Sequence, residues 1–184
     1  VQCVTNHIFN NPSKMVIKVV DNPGVSDDQN RDQDMLSSTV NFLKNIENGI
    51  NAFVLVLNVT NPRFDYNTQL MFKAFEQLFT PEFWKNVIVV FTRCDPGCES
   101  LWQQQKEQNQ DYSEVIKSKK KFKIPDNLTI PVYFVSTKNQ HTLNDLIDKI
   151  KSMDTYDCDT MKRVREIPDT TDGKKKNDMI KKII

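Results

Sequence analysis

Two uninterrupted apolar runs, Ala52-Phe53-Val54-Leu55-Val56-Leu57 and Val87-Ile88-Val89-Val90-Phe91, constrain the fold more than anything else in the chain. Runs of this length without polar alternation are expected of strands buried on both faces, which is the situation inside a helix-covered parallel sheet. Pro131-Val132-Tyr133-Phe134-Val135 is a third strand of similar character. Between them the apolar period turns helical. Leu70, Met71, Phe75 and Leu78 mark one helix, with Pro81 and Trp84 near its end. Residues 99–121 read as a polar helix ending in Lys119-Lys120-Lys121. Leu143, Leu146, Ile147, Ile150 and Met153 mark a last helix, with Thr142-x-x-Asp145 expected to cap its start. Strands alternating with helices predict an α/β fold, a mostly parallel sheet with helices on both faces.

Upstream of these runs, residues 2–9 and Met15–Val20 are rich in β-branched residues and flank the turn-forming stretch Asn10-Asn11-Pro12-Ser13-Lys14. That combination predicts a β-hairpin, and hence one antiparallel edge strand. Leu36, Val40, Leu43 and Ile46 then recur at helical spacing behind Asp27 and Asp28. Past residue 153 the apolar rhythm fades. The expected organisation is one domain over 1–153, with 154–184 a tail or helical extension whose first part, to 178, is a loosely held linker.

Composition narrows the function. With a net charge of +1, nothing calls for nucleic acid as a partner. The lysine run from Lys117 to Lys123 has no interleaved aromatics and reads as a solvated helix end. No run approaches the roughly 18 apolar residues of a membrane span, and the amino terminus has no basic and apolar export signal. Cys3, Cys94, Cys98 and Cys158 are therefore expected as reduced thiols in a cytoplasmic protein, and Asn58 and Asn127 head chance sequons. Cys94-x-x-x-Cys98 lacks further ligands for zinc, and His7 and His141 are too isolated for a Ser-His-Asp arrangement.

Ligands in open α/β sheets sit beyond the carboxyl ends of the strands, and three such ends carry suggestive residues. Asp21-Asn22-Pro23-Gly24 is a DxxG: Asp21 could hold magnesium through water, and Gly24 could let a backbone N–H approach a terminal phosphate. The plainer reading is a turn, in which Asp, Asn, Pro and Gly are the usual residues. Thr92-Arg93-Cys94-Asp95 ends the second long run, where a carboxylate can accept from N1–H and the exocyclic amine of guanine and Arg93 can lie over the base. Here the plainer reading is a surface loop leading into Pro96-Gly97. Ser136-Thr137-Lys138 follows the third strand, where a small residue lets backbone N–H groups reach the base carbonyl. In that order and at those strand ends, the three form the motif series of a GTPase.

The stretch from Asp21 to Asp95 resembles the immunity-associated GTPases (GIMAP or IAN proteins, with an AIG-type G domain), relatives of septins and chloroplast import GTPases. The box Asn51-Ala52-Phe53-Val54-Leu55-Val56-Leu57, followed by Asn61-Pro62-Arg63-Phe64-Asp65-Tyr66-Asn67, is similar to that family's strand and R-[FY]-T segment. Phe91-Thr92-Arg93-Cys94-Asp95 resembles its F-T-R-K-D. The likeness covers roughly residues 15–150. It implies a three-layer P-loop-GTPase-like fold, guanine contacts from Thr92, Arg93, Asp95, Ser136 and Thr137, a magnesium and γ-phosphate switch at Asp21 and Gly24, and GTP/GDP with Mg2+ as ligands. Asn22 stands where the family usually has Thr.

The chain departs from the family more seriously at the phosphate site. Its four glycines, Gly24, Gly49, Gly97 and Gly173, form no GxxxxGK[ST]. The family's first strand, which lies between the strands ending at Asp21 and Asn58, is missing with that loop, so a piece of a longer protein is expected. Val25 stands where small signalling GTPases orient water with Gln, so slow hydrolysis is expected, with no catalytic residue assigned. The family implies a homodimer through the switch surface. The basic and apolar tail from Lys174 to Ile184 leaves peripheral membrane contact as a lesser expectation. The alternatives are a pseudo-GTPase scaffold acting through protein contacts and an unrelated nucleotide-binding α/β protein.

Overall fold

The computed structural model describes residues 2–7, 16–21, 49–62, 64, 66–157, 159, 161 and 162. The turn at 10–14, the expected helix over Leu36 to Ile46, Gly24, Val25, Arg63, Asp65 and the tail from 163 lie outside the described residues.

The two strands expected of the hairpin pair antiparallel: β1 (Gln2–His7) with β2 (Val16–Asp21), Gln2 opposite Asp21 and His7 opposite Val16. A second sheet contains β3 (Phe53–Asn58), β4 (Val87–Thr92) and β5 (Val132–Phe134), all parallel, in the order β3-β4-β5. Among the described residues the two sheets are separate.

Helices make the parallel connections. α1 (Tyr66–Phe79) and a 3-10 turn (Pro81–Asn86), with proline at its start where no N–H is needed, join β3 to β4. The expected polar helix of 99–121 is instead two, α2 (Glu99–Gln108) and α3 (Tyr112–Lys117). The break falls at Asn109, which is buried and whose side chain donates to the Gln105 carbonyl at 2.7 Å. A short polar side chain that bonds its own backbone competes with helix continuation. α4 (Gln140–Lys151) follows β5. It begins earlier than the expected capping box: Asn139 is the cap, its Oδ1 accepting the His141 N–H at 3.1 Å. Thr142 has a different task, described below.

The core lies mainly on one face of the β3-β4-β5 sheet. Leu55, Leu57, Val87, Val89 and Phe91 meet Phe72 and Phe79 of α1, with Phe83 and Trp84 fully buried behind them. Each such large side chain contributes about 1.5–3 kcal/mol on leaving water. On the opposite face Ile88, Val90 and Val135 pack against Leu143, Leu146 and Ile150 of α4. β4 is thus buried on both sides, as expected, but β3 is not: Val54 is 41% and Val56 60% exposed. They share a face with Ile88 and Val90, their register partners, but α4 covers β4 and β5 on that face and leaves β3 open.

Beyond residue 153, Asp154, Tyr156 and Met161 are attached to the domain, where a loosely held linker was expected. Ile50 and Tyr156 exchange two backbone hydrogen bonds of 2.8 Å each, and the Asn86 amide donates to the carbonyls of Asn51 (2.9 Å) and Asp154 (2.6 Å). The Tyr156 ring meets Phe53 and Phe79, and Met161 is fully buried in the main core.

Candidate functional site

The carboxyl ends of β4 and β5 place two of the sequence-marked segments side by side, since parallel strands end at the same pole. At the end of β4 the Thr92 hydroxyl donates to the Leu57 carbonyl at 3.2 Å and the Thr92 carbonyl accepts the Val59 N–H at 3.2 Å, tying the tip of β4 to that of β3. Arg93 then adopts φ 67°, in the left-handed region, with its side chain exposed. A left-handed residue with a Cβ costs about 1–2 kcal/mol. Neighbouring bonds hold this one: the Cys94 N–H donates to the Val135 carbonyl at 3.3 Å, and the buried Cys94 side chain anchors the loop. Burial pushes the Cys94 thiol up, so it serves packing and is no reactive thiolate.

The turn at Arg93 delivers Asp95 to Ser136. Asp95 Oδ1 accepts the Ser136 hydroxyl at 2.6 Å, and Oδ2 pairs with the Lys138 ammonium at 2.8 Å. These two partners, Lys138 first and then Ser136, hold the Asp95 carboxyl below its ordinary range, so Asp95 is an anion at neutral pH. The Ser136 hydroxyl also accepts the Lys138 N–H at 3.0 Å, and Ser136 is 2% exposed. Its own N–H donates to Thr142 Oγ1 at 3.2 Å, while the Thr142 hydroxyl donates to the Asn139 carbonyl at 2.8 Å. Thr142 therefore joins the β5 loop to the first turn of α4. Thr137, between the two bonded residues, is exposed.

From the other side the Trp102 indole N–H donates to the Asp95 main-chain carbonyl at 3.0 Å. Lys106 lies over the rings of Trp102 and Phe134, at 5.9 and 5.6 Å, fixing α2 against the end of β5. Asp95 is thus held at its backbone by Trp102 and at its carboxylate by Ser136 and Lys138. An oriented anionic carboxylate, backed by a buried hydroxyl and still 27% exposed, can accept a pair of parallel N–H donors from a planar ligand.

A model of the AIG1 family matches residues 2–178 of the chain. The chain belongs to the AIG1 family. The resemblance read from Asp21 to Asp95 is borne out, and the AIG1 fold is the α/β, P-loop-GTPase-like one. At the level of the family, an AIG1 chain is a GTP-binding G domain, and its ligands are guanine nucleotides. No curated protein matches this chain significantly.

Within this AIG1 chain, Thr92, Arg93, Asp95, Ser136 and Thr137 all lie at the ends of β4 and β5. Asp21 closes β2 in the other sheet, opposite Gln2. Among the described residues no cluster of His, Cys, Asp and Glu is suited to hold a metal ion, and no helix is long and apolar enough to cross a membrane. Sequence reasoning missed three residues: Trp102, Thr142, and Lys138 in its role as a partner of Asp95. Trp102 left one trace, a tryptophan on a mostly polar helix seven positions after Asp95.

Proposed function

We propose that the β4–β5 pole reads the guanine base of GTP and GDP in a nucleotide-dependent switch protein of the immunity-associated type. The Asp95 carboxylate accepts the base N1–H and exocyclic amine, and Arg93 lies over the ring. The Thr137 backbone N–H meets the base carbonyl, Ser136 backs the carboxylate while its own N–H is held by Thr142, and Thr92 braces the loop. The observation that carries this reading is the Ser136-backed Asp95 carboxylate at a strand-end pole, in a chain of the AIG1 family. Asp21 would hold magnesium through water, and Gly24 would sense the third phosphate. Nothing at position 25 orients water, so hydrolysis is slow, and self-association through the switch surface follows nucleotide state.

The test is base preference. Guanine offers two donors on the edge that Asp95 faces, whereas xanthine offers one donor and one carbonyl acceptor, the complement of an amide. Asp95→Asn should therefore move the preference from guanine to xanthine by at least about tenfold, the effect of one good hydrogen bond to a charged group. Competition between guanosine and xanthosine, and between their diphosphates with magnesium, measures it. A variant that keeps the guanine preference would sink the assignment.

A further inference from the structure

We propose that Lys138 is an internal stand-in for the ligand, holding Asp95 until a base arrives and setting how tightly the base is held. This rests on the assignment of Asp95 as the base-reading carboxylate. The two oxygens of Asp95 have different surroundings. Oδ1 is engaged from the inside by the Ser136 hydroxyl, on a residue only 2% exposed. Oδ2 is engaged from the outside by Lys138, whose side chain is 68% exposed. A planar base with two parallel donors has to use both oxygens, and it arrives from solvent, the side Lys138 occupies. The Ser136 bond is compatible with a ligand, because each oxygen accepts more than one donor and the hydroxyl approaches from behind.

The Lys138 ammonium differs in position and in mobility. It sits on a flexible exposed stem, while its own backbone N–H stays fixed to Ser136 at 3.0 Å, so the side chain can swing away without disturbing the loop. The ammonium neutralises Asp95 and keeps its carboxylate oriented. Base binding exchanges that ion pair for two hydrogen bonds. The loss is small but selective, since a ligand that presents only one donor, or none, has less to set against it.

Guanosine is a suitable probe because it is uncharged, so its binding depends on salt only through the protein's own pairs. Its affinity for the full chain and for Lys138→Met is followed by Trp102 fluorescence and by NMR, from about 0.05 M to about 0.5 M salt, over which the screening length falls from roughly 14 to roughly 4 Å. An exposed ion pair is worth enough for Lys138→Met to bind roughly two- to fivefold more tightly at low salt. Wild-type affinity should rise with salt towards that of the variant, whose own affinity stays flat. Lys138→Arg, which restores the charge, should restore the salt dependence. Equal affinities, or weaker binding by Lys138→Met, overturn the stand-in role while leaving the base assignment intact. Guanosine binding that survives in Asp95→Asn, or that is absent from both wild type and Lys138→Met, overturns both.

Discussion

Glu76 offers the sharpest test of how the main core is held. It lies on α1, 4% exposed, and its carboxylate accepts from three donors. Oε1 takes the Trp84 indole N–H at 3.0 Å and the Lys123 backbone N–H, and Oε2 takes the Lys73 ammonium at 2.5 Å. Glu76→Ala would strand the Trp84 N–H in a residue with no exposure, at about 1–3 kcal/mol, and the half-buried Lys123 N–H at about 1–2 kcal/mol more; Lys73 can turn to water. A total near 3 kcal/mol lowers Tm by about 6–12 °C in a chain of this size. Urea unfolding should show a lower midpoint with the slope unchanged. Glu76→Gln, which keeps one acceptor oxygen for Trp84 and Lys123 but loses the charge and the acceptor for Lys73, should fall between wild type and Ala.

The pH dependence of that loss gives an independent check. Burial alone would raise the Glu76 pKa, but the bonds from Lys73, Lys123 and Trp84 outweigh it and place the folded value below the ordinary 4.5. A depressed carboxyl contributes stability that is complete above its unfolded value and is lost as pH falls through the folded one. The gap between wild type and Glu76→Gln should therefore hold from pH 7 to about pH 5 and narrow below the ordinary value. A variant as stable as wild type, or a gap that widens in acid, would refute the reasoning.

Two further substitutions probe the ends of the sheet. Gly49 has φ +80°, and a Cβ there would lie 2.5 Å from the Tyr156 carbonyl oxygen and 2.7 Å from Thr155 Cγ2. Gly49→Ala should thus cost at least about 1–2 kcal/mol from backbone strain alone, and should speed hydrogen exchange at the Tyr156 N–H. Trp102→Phe keeps the ring but removes the donor to the Asp95 carbonyl. It should change stability by no more than about 1.5 kcal/mol while weakening guanosine binding severalfold, as read by calorimetry.

The strands and their parallel sense were legible because long apolar runs and helical-period segments alternate in the chain. The open face of β3 was not, since Phe53 to Leu57 would read the same with one face covered or two. The start of α4 was ambiguous in kind: Asn139 and Thr142 are both good caps, and only the path out of Ser136 decides between them. The break at Asn109 sits in a polar stretch where no apolar period exists to be interrupted. Residues 154–157 looked like linker because their attachment runs through backbone pairs and a single ring, Tyr156, which create no periodicity. At the site, Asp95 and Ser136 stood out by lying directly past strands. Trp102 and Thr142 act on main-chain atoms, and a bond to a carbonyl or an N–H leaves no complementary residue to find.

The bridge between Ile50 and Tyr156 gives the domain a mechanical direction. It lies just before β3 begins, at the amino pole of the parallel strands, whereas Asp95 and Ser136 lie at the carboxyl pole. A six-residue strand spans roughly 20 Å, so Tyr156 is attached at the opposite end of the sheet from Asp95 and Ser136.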